Sequence, residues 1–245
     1  MIVLIITAVR IKSMDSHRIS GRILAENIAG PGMLRLVEQS MQARARKTSV
    51  TEIAVKERKH PQAALTFDDG PDIRYTPLLL DGLKERNVRV SFFLLGEKVE
   101  QYPELVERMQ KEGHLVGNHT YHHVQLNKLN ETKAREEILK TNNLIYETTG
   151  VYPLYLRPPF GAWKKNLELC VEMLPVFWTI DTLDWKVQNT EKIVRTVQEQ
   201  IEDGAIILMH DEYDTSVEAA LQVVDELKNQ EYELCLLYTS PSPRD

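Results

Sequence analysis

Cysteine is the scarcest reactive residue in this chain, with two copies, Cys170 and Cys235, in a length of 245. Neither lies in a CxxC or a Cys/His ligand spacing, which argues against a zinc ribbon and a disulfide framework. A chain of this length can stabilise one large domain by its core alone, so the missing disulfides leave the compartment open. A basic excess is missing too. Lys and Arg number 30 against 36 Asp and Glu, for a formal net charge of -6. A general nucleic-acid binder needs a basic face to neutralise phosphate, so that class is disfavoured. No internal repeat or long low-complexity tract is present. The apolar run that opens the chain, Met1 to Val9, is too short to span a bilayer, which takes about 20 residues. What is present, 42% hydrophobic and 27% charged residues, is the composition of a soluble globular protein.

The two ends differ from the middle. Arg10 and Lys12 follow the opening apolar run, whereas a signal peptide carries its basic residues ahead of it. A clipped signal-anchor, a misassigned start and a buried strand all fit. The preferred reading is the remnant of an export segment, which implies a cell-envelope or extracellular protein with an anchor at its amino-terminus. Residues 1–60 read as a lead-in, with an amphipathic pattern at Met33, Leu34, Leu36, Val37 and Met41. The basic stretch Arg44-Ala-Arg-Lys47 that follows reads as a solvated helix face. Residues 235–245, CLLYTSPSPRD, resemble one translated frame of a sequencing adapter more than a natural Ser/Pro-rich tail, and carry no functional argument here. On that reading Cys235 is foreign and interrupts the last strand.

From Ala63 onward, short apolar runs alternate with helical ones. Strands are predicted at Ala63–Phe67, Arg89–Leu94, Leu115–Gly117, Leu154–Leu156, Val176–Thr179, Ala205–Met209 and Tyr232–Leu236. Helices are predicted at Tyr102–Glu112, with Pro103 near its start and Gly113 at its end, and at Glu131–Thr148, ending at Gly150. Two more, Thr190–Ile201 and Ser216–Asn229, each open on a residue type that caps helices. This alternation implies an α/β fold with a parallel sheet, open or closed into a barrel, over residues 61–234.

Polar residues fall just past the strands: Asp68 and Asp69, Asn118 and His119, Arg157, Asp181 and His210. The carboxyl ends of the strands carry the active site in α/β barrels. His119 and His123 are spaced i, i+4, so a helical segment would put both imidazoles on one face, able to share a metal. His122 would point away from that face. Adjacent residues leaving a strand diverge, so one of Asp68 and Asp69 can bind a metal while the other faces substrate. Asp-Gly-Pro is also ordinary turn chemistry, which explains Gly70 and Pro71 but not two acids emerging from an apolar strand. A His₂Asp set leaves positions open for water and substrate, as a hydrolytic metal requires. Zinc is the default, and cobalt, manganese, nickel or iron suit the same ligands. His114 and His60 have no partner in the sequence and read as surface residues.

Five ordered motifs stand here: Thr66-Phe-Asp-Asp-Gly-Pro71, His119-Thr-Tyr-His-His123, Arg157-Pro-Pro-Phe-Gly161, Asp181-Thr-Leu-Asp-Trp185 and Leu208-Met-His210. Together they resemble the polysaccharide deacetylases with a NodB-homology domain, also called carbohydrate esterase family four, from about residue 62 to 234. The resemblance implies an irregular (β/α) barrel of seven or eight parallel strands. It implies Asp69, His119 and His123 as metal ligands, and Asp68 as the general base that takes a proton from the attacking water. Arg157 would hold Asp68 ionised. The metal and the backbone N–H of Phe160 would stabilise the oxyanion. His210 would be the general acid, kept cationic by donating a hydrogen bond to Asp181, with Asp184 left a structural role. Trp185 and Leu208 would wall a pocket for the acetyl methyl group. The implied partner is an acetylated glycan, first of all N-acetylglucosamine in peptidoglycan, with chitin oligosaccharides next, and the protein is expected to be a monomer. A family branch acting on muramic acid departs from the second Asp of the first motif, so Asp69 argues against that sugar.

Three other readings use the same residues. An O-acetyl esterase on xylan shares the whole machinery. An Fe(II) oxygenase uses two His and one carboxylate, but on β-rich folds with His-x-Asp adjacency. A catalytically dead glycan-binding domain would be expected to have lost Asp68 or His210.

Overall fold

The computed structural model describes residues 59–163 and 173–237. The export segment, the amphipathic pattern around Met33–Met41, the basic stretch, Cys170 and the end of the adapter-like tail lie outside the described residues. Eight strands are present among those described: β1 (Gln62–Asp68), β2 (Ser91–Leu94), β3 (Leu115–Asn118), β4 (Tyr155–Leu156), β5 (Leu174–Pro175), β6 (Ile180–Asp181), β7 (Ala205–His210) and β8 (Glu233–Leu234). Every pairing is parallel. The order is β5-β4-β3-β2-β1-β7-β6, with β8 paired to the start of β1 at Gln62 and Ala63. The result is the expected irregular (β/α) barrel in half-closed form, a curled parallel sheet with β5 and β6 as its two rims.

One predicted strand is displaced. Val176–Thr179 is not a strand; β5 and β6 flank it. β5 pairs with β4, and β6 pairs with β7, on opposite rims. The stretch between them has to cross the seam, with the Val176 N–H on the Leu156 carbonyl at 2.8 Å and the Thr179 N–H on the Ile206 carbonyl at 2.9 Å.

Seven α-helices are described: α1 (Tyr75–Glu85), α2 (Gly96–Gln101), α3 (Pro103–Lys111), α4 (Glu131–Thr149), α5 (Asp184–Val187), α6 (Thr190–Gln200) and α7 (Asp214–Asn229). Pro103 opens α3, where its missing N–H costs nothing. The Asn130 side chain caps α4, accepting from the Lys133 N–H at 2.9 Å, and Gly150 ends it in the left-handed conformation at φ 72°. Two expected caps are wrong. Asn189, not Thr190, caps α6 by accepting from the Lys192 N–H at 3.0 Å. α7 starts at Asp214 without a side-chain cap, and Ser216 is buried within its first turn.

Alternation along the strands separates two environments. Ala63, Leu65, Phe67, Phe92, Leu94, Ile207 and Met209 belong to the main apolar cluster with the inward faces of α1, α3, α6 and α7. Thr66, Asp68, Phe93, Leu208 and His210 fall at the intervening positions and are buried on the other face. Strands covered on both sides read as continuous apolar runs, which is why β1 stood out in the sequence. His114 corrects an expectation. It is 4% exposed, its Nδ1 accepts from the Val90 N–H at 3.1 Å, and its ring meets Phe92 edge-on. Burial pushes its pKa down to about 4.

Candidate active site

β1, β3 and β7 end on Asp68, Asn118 and His210, and Asp68 and His210 are direct partners in the β1–β7 register. Asp69 leaves β1 in the left-handed conformation, φ 69°. Gly70 follows because a Cβ there would lie 2.5 Å from Asp211 Oδ1. This abrupt exit separates the two acids as expected. Asp68 Oδ1 accepts from Arg157 Nη1 at 2.7 Å, and its Oδ2 lies 3.7 Å from His119 Nε2. Asp69 Oδ1 lies 3.3 Å from His119 Nε2 and 3.4 Å from His123 Nε2.

The two histidines converge without a helix. Residues 119–125 form an irregular loop in which Thr120 (φ 68°) and His123 (φ 54°) are both left-handed. The i, i+4 spacing therefore succeeds through a tight turn, not through helical periodicity. His119 Nδ1 bonds the Arg157 carbonyl at 2.7 Å. A carbonyl only accepts, so Nδ1 carries the hydrogen and Nε2 presents its lone pair to Asp69. His122 points elsewhere, its Nδ1 on Glu137 Oε1 at 2.8 Å.

Arg157 is fully buried. Its Nη1 donates to both Asp68 and the Thr66 hydroxyl, each at 2.7 Å, and its guanidinium lies 4.2 Å from the Phe93 ring centroid. The buried guanidinium fixes the Asp68 carboxylate through Oδ1 and leaves Oδ2 turned towards His119.

The partner of His210 is a correction. Asp184, not Asp181, holds it: Asp184 Oδ1 bonds His210 Nδ1 at 2.8 Å and Oδ2 accepts the His210 backbone N–H at 2.8 Å. Asp181 sits beside Leu208 in the β6–β7 register, two positions short of His210, and its carboxylate accepts from the Leu183 N–H at 3.0 Å. Leu183, at φ 52°, then turns the chain so that α5 brings Asp184 back over His210. Burial opposes the His210 charge, but the Asp184 hydrogen bond and charge, with Asp68 and Asp69, raise its pKa to about 9. Burial likewise opposes the Asp184 charge, and His210 more than offsets it, lowering that pKa. His210 Nε2 is left facing Asp69 Oδ2 at 3.9 Å.

Phe160 is left-handed at φ 58°, in the turn Pro159–Gly161, with its ring 4.5 Å from that of His123. Trp185, half exposed on α5, adjoins Asp184 in the chain, and Leu208 is buried in β7. Asp69, His119 and His123 can bring one ligand atom each within 4.8 Å of one another. Asp69 Oδ1 is buried and has no hydrogen-bond partner. An orphaned carboxylate oxygen facing the Nε2 atoms of two histidines, at 3.3 and 3.4 Å, is a donor set that fits a divalent metal. The pKa of Asp69 already lies well below the usual carboxylate range; burial raises it, and His119, His123 and His210 overcome that.

The family model for polysaccharide deacetylases matches residues 55–176. A peptidoglycan-N-acetylglucosamine deacetylase of Bacillus cereus is 40% identical over 176 residues, 69% of this chain and 64% of that protein. The peptidoglycan-N-acetylmuramic acid deacetylase PdaC of Bacillus subtilis is 41% identical over 171 residues, 70% of this chain and 37% of that protein. The structure of Bacillus subtilis PdaC superposes with a TM-score of 0.71 and 39% identity, covering 73% of this chain and 89% of that one. The chain belongs to the polysaccharide deacetylase family. It matches between 37% and 64% of the length of these two curated relatives. Within the polysaccharide deacetylase fold, the residue that sequence reasoning misplaced is Asp184. Its signal was present as the second acid of Asp181-Thr-Leu-Asp-Trp185, but the left-handed Leu183 that re-aims it leaves no mark in the sequence.

Proposed function

We propose that this protein removes N-acetyl groups from a cell-wall glycan, hydrolysing the acetamide to acetate and a free amine. The observation that carries the reading is the convergence of a three-ligand cluster, a paired carboxylate and a carboxylate-held histidine at one end of the sheet. Asp69, His119 and His123 would hold a divalent metal, zinc by default and cobalt, manganese, nickel or iron by ligand type. When bound, it supplies a Lewis acid that polarises the acetyl carbonyl and acidifies water. Asp68 takes the proton of the attacking water on Oδ2, the oxygen not bonded to Arg157. His210 gives its Nε2 proton to the departing nitrogen, so the C–N bond breaks without expelling an amide anion. The Phe160 N–H would donate to the oxyanion, and Trp185 and Leu208 would flank the acetyl methyl. Asp181 is left to shape the turn that delivers Asp184.

Peptidoglycan is the substrate favoured by the relatives' names, with N-acetylglucosamine first. Asp69 counts against muramic acid by motif, whereas the likeness to PdaC counts for it, so both sugars belong in the test. Residues 61–234 are taken as the catalytic domain, in a monomer at the cell envelope with an anchor in the amino-terminal lead-in. No described helix is long and apolar enough to cross a membrane. The experiment is acetate release by metal-reconstituted protein from peptidoglycan, chitin oligosaccharides and acetylated xylan in parallel. Release from peptidoglycan above the other two supports the reading; release from xylan alone converts it to an O-acetyl esterase. A folded, metal-loaded protein that frees no acetate from any of them refutes it.

A further inference from the structure

Glu137 lies on α4, away from the ligands, yet its carboxylate spans the loop that carries two of them. Its Oε2 accepts from two consecutive backbone amides, Tyr121 N–H at 3.0 Å and His122 N–H at 2.9 Å. Its Oε1 meets His122 Nδ1 at 2.8 Å. We infer that Glu137 is a positioning residue for the metal centre, a clamp that sets the turn between His119 and His123 so that both rings reach Asp69. The inference rests on the metal-centre reading above.

The loop needs such a clamp. Thr120 and His123 are both left-handed, a conformation that is costly for a non-glycine residue and persists only where surrounding structure imposes it. Three elements impose it. Asn118 Oδ1 takes the Thr120 N–H at 2.6 Å. The start of α2 donates Gly96 N–H to the Thr120 carbonyl at 2.9 Å and Glu97 N–H to the Tyr121 carbonyl at 3.2 Å. Glu137 supplies, through one oxygen, the acceptor for the next two amides, Tyr121 and His122. α4 docks independently of it: Ala134 and Ile138 enter a buried apolar cluster, Ile145 enters the main core, and Asn118 Nδ2 bonds the Ile138 carbonyl at 2.9 Å. The three Glu137 bonds go to the ligand loop. They also explain why His122, between two ligands, is no ligand itself.

Three substitutions test the clamp in the full chain, with Glu137→Ala removing the carboxylate altogether. Glu137→Asp keeps the charge but withdraws it by one methylene; Glu137→Gln loses the charge but keeps an oxygen at the amides. The readouts are the zinc dissociation constant, by competition with a chromogenic chelator, and amide hydrogen exchange at Tyr121 and His122 in metal-free protein. Glu137→Asp and Glu137→Ala should weaken zinc binding by about tenfold or more, in the range seen for outer supports of metal ligands. Both should speed exchange at the two amides, and Glu137→Gln should recover most of both effects. Parental zinc affinity and protection in Glu137→Asp would overturn the clamp, as would a Glu137→Gln variant as weak as Glu137→Ala. If Glu137→Ala fails to fold, the other two carry the test. A parent protein that binds no divalent metal would sink the metal-centre reading, while amide exchange still judges the clamp.

Discussion

At the residue scale, the proposed general acid, His210, is held by one carboxylate. Asp184 bonds both the ring and the backbone nitrogen of His210, whereas Asp181 is turned onto its own loop. Asp184→Asn should therefore cut turnover by about 10²-fold or more, the usual weight of a general acid. Asp181→Asn should change it by only a few fold. Acetate release by the two variants decides between them; equal losses would return Asp181 to the role its motif position suggested. In metal-free protein, the His210 ring should titrate near 9, and Asp184→Asn should bring it down towards the ordinary 6.5, as followed by NMR.

At the element scale, the site is made by the first residues after each strand. Gly70 leaves one of the tightest gaps among them, since a methyl group would lie 2.5 Å from Asp211 Oδ1. Gly70→Ala should cost about 1–3 kcal/mol of stability, as overpacking does, and displace Asp69. Reduced zinc affinity together with a lower denaturant midpoint is the expected pair; unchanged zinc binding would show that the turn yields elsewhere. Much of this was legible. The apolar run of β1, the acids after it and the histidine pair all pointed to one strand-end cluster, because burial and turn chemistry write themselves into local composition. Other features were not. The Val176–Thr179 run is apolar, like a strand, but its place at the seam is a property of the whole sheet. The left-handed Thr120, His123 and Leu183 have no residue signature, so the histidines converged by an unforeseen turn and the acid partner was displaced by three positions.

At the scale of the whole molecule, His114 couples the lower end of the sheet to pH. Folded, its pKa lies near 4, against 6.5 for the unfolded residue, with burial the main cause. Between these values the unfolded chain binds more protons, so stability is full above the window and falls as pH drops through it. The loss should reach up to about 3 kcal/mol, at about 1.4 kcal/mol per unit of difference. His114→Asn keeps an acceptor for the Val90 N–H and removes the titrating ring, so its stability should depend less on pH across that window. Urea midpoints on either side of the window measure it; an unaltered slope would assign the pH dependence to other groups.

The pairing of β1 with β7 has a kinetic consequence. Thr66 and Ile207, bonded through the Thr66 hydroxyl, stand 141 positions apart, and the same ladder sets Asp68 against His210. Closing so long a loop is slow, because chain entropy is lost before the contact rewards it. During refolding, helical signal should return first and zinc binding later, with acetate release appearing only when the β1–β7 ladder has closed. Asp68 and His210, the proposed base and acid, are thus expected to meet at the last stage of folding, and a partly folded chain to hold neither in working order.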